Sequence, residues 1–241
     1  MLRTTTFALS LLALPSLLLP SLAVAQDANG WVGEASLTAN RTTGNTDTTN
    51  VGVGLKLDNI GERWRHKFAA SADYGTVNGV QNRERFNLGY QLERDISDRL
   101  FGFGTADYYY DDFGAFTDGY FIGGGLGYTI YEGKPIGWSV TTGVGYRSQT
   151  SALDITNNEF AVNAESDFDW QINEQVSAYN DSGVLWSDSD TYLWSEVGLT
   201  ANLMGNLAAR ASFRIDHHSD VPFGTEKTDT ISRFGIVYTI D

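Results

Sequence analysis

Apolar side chains recur at every second position along most of the chain. Val51, Val53, Leu55 and Leu57 alternate with Asn50, Gly52, Gly54, Lys56 and Asp58, which is the period of an extended strand with two unlike faces. Trp64, Phe68, Ala70, Ala72 and Tyr74 oppose Arg65, Lys67, Ser71 and Asp73 in the same way, and Phe86, Leu88, Tyr90 and Leu92 oppose Arg85, Asn87, Gln91 and Glu93. The clearest alternation sets Phe160, Val162, Ala164, Phe168 and Trp170 against Glu159, Asn163, Glu165, Asp167, Asp169 and Gln171. Carried along the chain, the pattern predicts strands near 31–40, 48–57, 63–74, 83–94, 99–109, 119–131, 136–147, 159–171, 175–185, 192–203, 207–216 and 228–240. Most reach or exceed the roughly 9 to 11 residues that a tilted strand needs to cross a bilayer. An even number of such strands predicts an all-β fold, a transmembrane antiparallel up-and-down barrel of about twelve strands.

The intervening segments alternate in predicted length. Residues 41–47, 75–82, 110–118, 148–158, 186–191 and 217–227 read as longer connections, and 58–62, 95–98, 132–135, 172–174 and 204–206 as short turns. Short periplasmic turns opposite longer external loops are the asymmetry of an outer-membrane barrel with both termini in the periplasm. Trp31, Trp64, Trp138, Trp170 and Tyr238 fall near one set of strand ends, Tyr74, Tyr146 and Phe160 near the other, as two interfacial girdles would. Closure follows from the solvent, because lipid offers no partner to an open edge of backbone amides.

The N-terminus is set aside from this pattern. Arg3, the apolar stretch from Phe7 to Leu22 and the triplet Ala23-Val24-Ala25 have the layout of a secretory signal peptide, residues 1–25, with the mature barrel spanning 26–241. Pro15 and Pro20 argue against an uncleaved membrane helix. The absence of cysteine excludes disulfides, thiol catalysis, cysteine metal sites and a lipid anchor. A formal net charge of −14 disfavours nucleic acid as a partner. The partners expected instead are outer-membrane lipid and lipopolysaccharide, with the barrel-assembly machinery during biogenesis.

The segment SLTANRTTGNTDTTNVGVGLKLD at Ser36 to Asp58, with GNTD at Gly44 to Asp47, resembles the opening hairpin of the YdiY-like family, whose members are described as salt-induced outer membrane proteins. RLFGFGTADYYYDDF at Arg99 to Phe113 and GGGLGYTIYEGKPIGWSVTTGVGYR at Gly123 to Arg147 extend the resemblance over most of the mature chain. It implies an outer-membrane location in a Gram-negative envelope and a link to salt or osmotic stress, and it brings no catalytic residue or ligand with it. Arg233 to Ile240 also resembles the terminal strand signal of barrel assembly, although the chain ends on Asp241 rather than an aromatic residue.

Function must then come from the lumen. Inward positions carry Lys56, Arg65, Lys67, Arg85, Arg210, Arg214 and Arg233 on strands that become neighbours when the barrel closes, and Glu165, Asp167 and Asp169 on the eighth strand, opposite the second. A basic wall facing an acidic one predicts a candidate constriction with a transverse field, suited to small polar or zwitterionic solutes in a small porin-like passive channel. The alternative is a closed structural barrel in which Glu34, Asp58, Asp73, Glu93 and Asp216 pair locally with the basic groups. A third reading, a hydrolase at the external rim built from Asp216, His217, His218, Ser219 and Asp220 or from Asp111 and Asp112, lacks a recognisable enzyme motif. No enzyme activity, cofactor or metal site is expected. Gly44 and Gly123-Gly124-Gly125 precede no helix, which removes a phosphate loop; Gly123, Gly125 and Gly127 are expected to leave lumen space or permit curvature.

Overall fold

The computed structural model describes residues 30–42 and 47–240, so the expected signal peptide, most of the GNTD segment and Asp241 lie outside the described residues. Twelve strands follow one another: β1 Trp31–Thr42, β2 Thr48–Ile60, β3 Trp64–Val77, β4 Val80–Asp95, β5 Leu100–Asp111, β6 Phe116–Tyr131, β7 Ile136–Ser151, β8 Thr156–Gln171, β9 Val176–Ser187, β10 Thr191–Met204, β11 Leu207–His218 and β12 Thr228–Ile240. Each pairs antiparallel with its neighbours in sequence, and β1 closes on β12 through a register that sets Leu37 against Ile236 and Ala35 against Tyr238. The sheet is therefore a closed up-and-down barrel in which every strand has two partners, the arrangement a hydrocarbon surrounding requires.

Burial is inverted relative to a soluble sandwich. Phe160 is 84% exposed, and Val53, Ile122, Val144, Leu199 and Phe234 are exposed with it on the outer face, whereas Glu93 is 1% exposed and Arg147, Gln149, Asn163 and Asp216 are buried inside. Two aromatic belts bound the apolar band. Trp31, Trp64, Tyr131, Trp170 and Tyr238 are exposed near one rim, and Tyr74, Tyr120, Tyr146 and Trp186 near the other. One polar patch interrupts the band where Asn180, Ser182 and Ser195 bond one another on β9 and β10 and Ser166 accepts from the Trp138 indole.

The expected difference in connection length largely disappears. The segment read as a loop over 75–82 is a two-residue turn, because β3 and β4 stay paired up to Val77 and Val80. Asn78 and Gly79 take φ of 51° and 77°, the left-handed pair that closes a tight hairpin in step with strand twist. The segments over 110–118, 148–158 and 186–191 are shortened in the same way, leaving 219–227 as the long connection. The cause is physical: beyond the apolar band both faces of a strand are solvated, so alternation fades from the sequence although the hydrogen-bonded ladder continues.

Candidate functional site

The lumen is built from the inward set of each strand, and its walls are furnished unequally. Aromatic rings lie over glycines of the adjoining strand. A Cβ on Gly127 would meet the Phe101 ring at 2.1 Å, one on Gly145 the Phe121 ring at 2.6 Å, one on Gly183 the Trp194 ring at 2.1 Å and one on Gly198 the Tyr179 ring at 2.1 Å. These glycines are seats for rings as much as empty space, which refines the expectation for Gly123 and Gly127. Gly125 differs, since its Cβ would strike the Thr142 carbonyl oxygen rather than a side chain.

Each inward cation of the expected basic wall has an acid beside it. Arg210 meets Glu34 through two nitrogens at 2.5 and 2.7 Å. Arg65 lies 2.7 Å from Glu93 and 2.9 Å from Asp95, and Lys67 lies 2.6 Å from Glu93. Arg85 reaches Asp111 at 2.5 Å and Asp216 at 3.3 Å. Arg214 lies 2.9 Å from Asp216 and 3.7 Å from Glu196, and Arg233 lies 3.1 Å from Asp73 and 3.5 Å from Glu196. Lys56 stands 3.6 Å from Asp181 of β9. Of the five acids expected to pair locally, Glu34, Asp73, Glu93 and Asp216 do so, and Asp58 makes no ion pair among the described residues.

Two of these pairs span the barrel. β2 and β9 stand five strands apart around the ring, as do β4 and β11, so Lys56–Asp181 and Arg85–Asp216 are cross-lumen contacts. At the end bearing the long connection, His218 of β11 packs its ring against Phe116 of β6 at a centroid separation of 4.9 Å and stacks on Tyr192 at 4.7 Å.

The acidic row has a different fate. Glu165 accepts from the Asn163 amide at 3.3 Å, and neither it nor Asp167 nor Asp169 has a basic group within ion-pair distance among the described residues. Asp107 of β5, not singled out from sequence, joins them with only a hydrogen bond from Thr105 at 2.8 Å. Asp181, Glu196 and Tyr179 were also missed, although continuing the period-two pattern through β9 and β10 would have placed all three inward. The field is therefore not two bare walls facing one another but a neutralised basic wall and an acidic one left open.

The rim residues separate. Asp216 and His218 face inward, whereas His217 bonds Thr228 at 2.8 Å on the other face. The His218 partner is Asp190, whose Oδ2 lies 2.6 Å from Nδ1. Asp190 also accepts from Ser219 and the Asp220 amide at 3.2 Å each and from Arg147 at 3.2 Å. Burial pushes the Asp190 carboxyl up, but the hydrogen bond and charge of His218 outweigh it and hold the group below its ordinary value. Among the described residues no group of three acidic or histidine side chains is arranged to hold a metal ion.

A cavity of about 1180 Å³ occupies the lumen, lined from Glu132 and Gly133 in the β6–β7 turn to Gly114 and Glu226 in connections at the opposite end. The family described as "Protein of unknown function, DUF481" matches residues 35–240, nearly the whole barrel. The chain belongs to the DUF481 family. That assignment agrees with the resemblance to a barrel family of unknown function. No curated protein matches the chain in sequence. Among solved structures, the NanC porin in a rhombohedral crystal form is similar at 9% identity with a TM-score of 0.54, covering 86% of this chain and all of that one. The COG4313 outer membrane channel from Pseudomonas putida F1 is similar at 9% identity and the same TM-score, covering 92% of this chain and 99% of that one. At such identities the shared property is the fold, an antiparallel membrane barrel.

Proposed function

We propose that this DUF481 member is a narrow passive channel of the outer membrane for small hydrophilic solutes, with the charged residues of the lumen as its constriction. The observation that carries the reading is the cavity, with charged side chains on its wall, that reaches from turn residues at one end to connection residues at the other. Both similar barrels are named as a porin or a channel, which agrees with it. The apolar belt would take outer-membrane lipid and lipopolysaccharide, and β12, with Phe234, Ile236 and Tyr238 outward, would be the strand engaged by the assembly machinery after removal of residues 1–25. A passive pathway of this kind fits the role in salt or osmotic stress that the family resemblance implies.

A second reading is favoured by a specific observation: Lys56–Asp181, Arg85–Asp216 and Phe116–His218 cross the lumen, as they would in a closed structural barrel. Planar-bilayer recording of the refolded mature protein separates the two. Discrete conductance steps support the channel, and silence from barrels shown to be inserted supports the closed wall.

A further inference from the structure

The contacts that cross the lumen are not spread evenly along it. Lys56–Asp181 is half-exposed and lies toward the end where β1 begins, with Lys56 paired in register to Glu34. The others gather at the end bearing the 219–227 connection, which is the outer end of a barrel with short periplasmic turns. There Asp216 and His218, successive inward residues of β11, reach in different directions. Asp216 meets Arg85 of β4 at 3.3 Å and His218 packs on Phe116 of β6, so the mouth is bridged twice from one strand. Phe116, Asp111, Arg147 and Asp216 are all buried at this end.

One acid aims the His218 ring. Asp190, in the β9–β10 turn, is 2% exposed and lies outside the cavity lining. Its carboxylate stands 2.6 Å from His218 Nδ1 and accepts from the Ser219 hydroxyl and the Asp220 amide, at the root of the long connection, and from Arg147 of β7. A single turn residue thus ties β7 and the long connection to the ring that spans the mouth.

The same region holds buried polar groups that the present arrangement leaves over. Gln149, two positions beyond Arg147 on the same face of β7, is 1% exposed, and neither its amide oxygen nor its amide nitrogen has a hydrogen-bond partner among the described residues. The Ser189 hydroxyl, next to Asp190 in the chain, has none either. Buried groups without partners are a reservoir of strain, and strain at one place lowers the cost of leaving the arrangement that contains it.

We propose that the outer mouth is a gate, shut in this structure, with the His218–Phe116 contact as its bar and Asp190 as the catch that positions His218. When the catch releases, His218 leaves Phe116, Arg147 passes to the Gln149 amide oxygen, and the outer mouth widens. The gate rests on the channel reading, and it makes the conducting and closed lumens two states of one barrel.

The test is planar-bilayer recording of the refolded mature protein and its variants, each checked for folding by heat-modifiable gel mobility. Asp190→Ala removes the catch without altering the cavity wall. It should raise the ratio of open to closed time by about tenfold or more, the change that goes with losing a charge-assisted hydrogen bond. His218→Ala should act in the same direction. The chain contains no cysteine, so Phe116→Cys with His218→Cys supplies the only two thiols. A methylene-bridged bis-methanethiosulfonate should hold that mouth shut, and a reducing agent should restore the current. The His218→Cys single variant treated with methyl methanethiosulfonate should keep conducting, which separates bridging from bulk. Conduction that is the same in wild type, Asp190→Ala and the bridged pair would overturn the gate and leave the channel standing. Silence from every variant, in barrels shown to be inserted, would overturn both.

Discussion

The lumen side running from β9 through β12 and β1 to β4 differs from the side running from β5 to β8. On the first, Arg210, Arg233, Arg214, Arg85, Arg65 and Lys67 are each locked to acids on neighbouring or facing strands. On the second, glycines seat the Phe121 ring and Asp107, Glu165, Asp167 and Asp169 have no ion-pair partner among the described residues. The difference teaches that a charged residue in a lumen is informative only after its partner is known. A paired arginine is part of the wall, and a carboxylate without a partner leaves its charge facing the lumen.

The largest expected effect comes from breaking the locked side. Arg85→Met would leave Asp111 without its cation in a low-dielectric site while Asp216 keeps Arg214 at 2.9 Å, and removing one member of a buried pair costs about 3 to 5 kcal/mol. Urea unfolding of the refolded barrel should show a lowered midpoint of that order, while Asp167→Asn on the open side should leave the midpoint close to wild type.

Gly145→Val should come next. Its side chain would meet the Ile122 carbonyl oxygen and the Phe121 ring at 2.5 and 2.6 Å, so the ring must tip into the lumen, at about 1 to 3 kcal/mol and with smaller single-channel conductance. An unchanged conductance in a folded variant would show that the Phe121 ring and its glycine seat do not set the passage.

Lys56→Met sharpens the comparison from the other direction. The Lys56–Asp181 pair is half-exposed, so its loss should change stability by no more than about 1 kcal/mol. It also turns Asp181 into one more unpaired carboxylate, and reversal potentials in a salt gradient should move toward greater cation preference.

Asp190 tests the comparison through pH, and it is also paired with the buried Arg147 at 3.2 Å. Its lowered pKa means that the native state gains stability above the ordinary carboxylate value, near ~3.9, and loses it as pH falls through the lower folded value. Thermal melting of wild type and Asp190→Asn should therefore differ at neutral pH and converge under strong acid.

Much of this could be read from residue order. All twelve strands follow from period-two alternation, because a lipid-facing row and a water-facing row leave opposite marks at successive positions. The inward placement of Lys56, Arg85, Arg210, Glu165 and Asp167 follows from the same phase. Hairpin ends were misjudged, as at Asn78 and Gly79, because strands outside the apolar band have two polar faces and resemble loops. Asp107 and Asp181 were missed although their phase was available, since no partner or cluster drew attention to them along the chain.

The sequence by itself determined a closed antiparallel membrane barrel and which side chains face its lumen, because local alternation and the demand for paired backbone amides act strand by strand. Only the tertiary structure decided which charges cancel. Arg210 meets Glu34 across 176 positions of sequence and Arg85 meets Asp216 across 131, distances over which no local pattern carries information. Strand stagger on closure brings those groups together and leaves Asp107, Glu165, Asp167 and Asp169 without a cation beside them among the described residues.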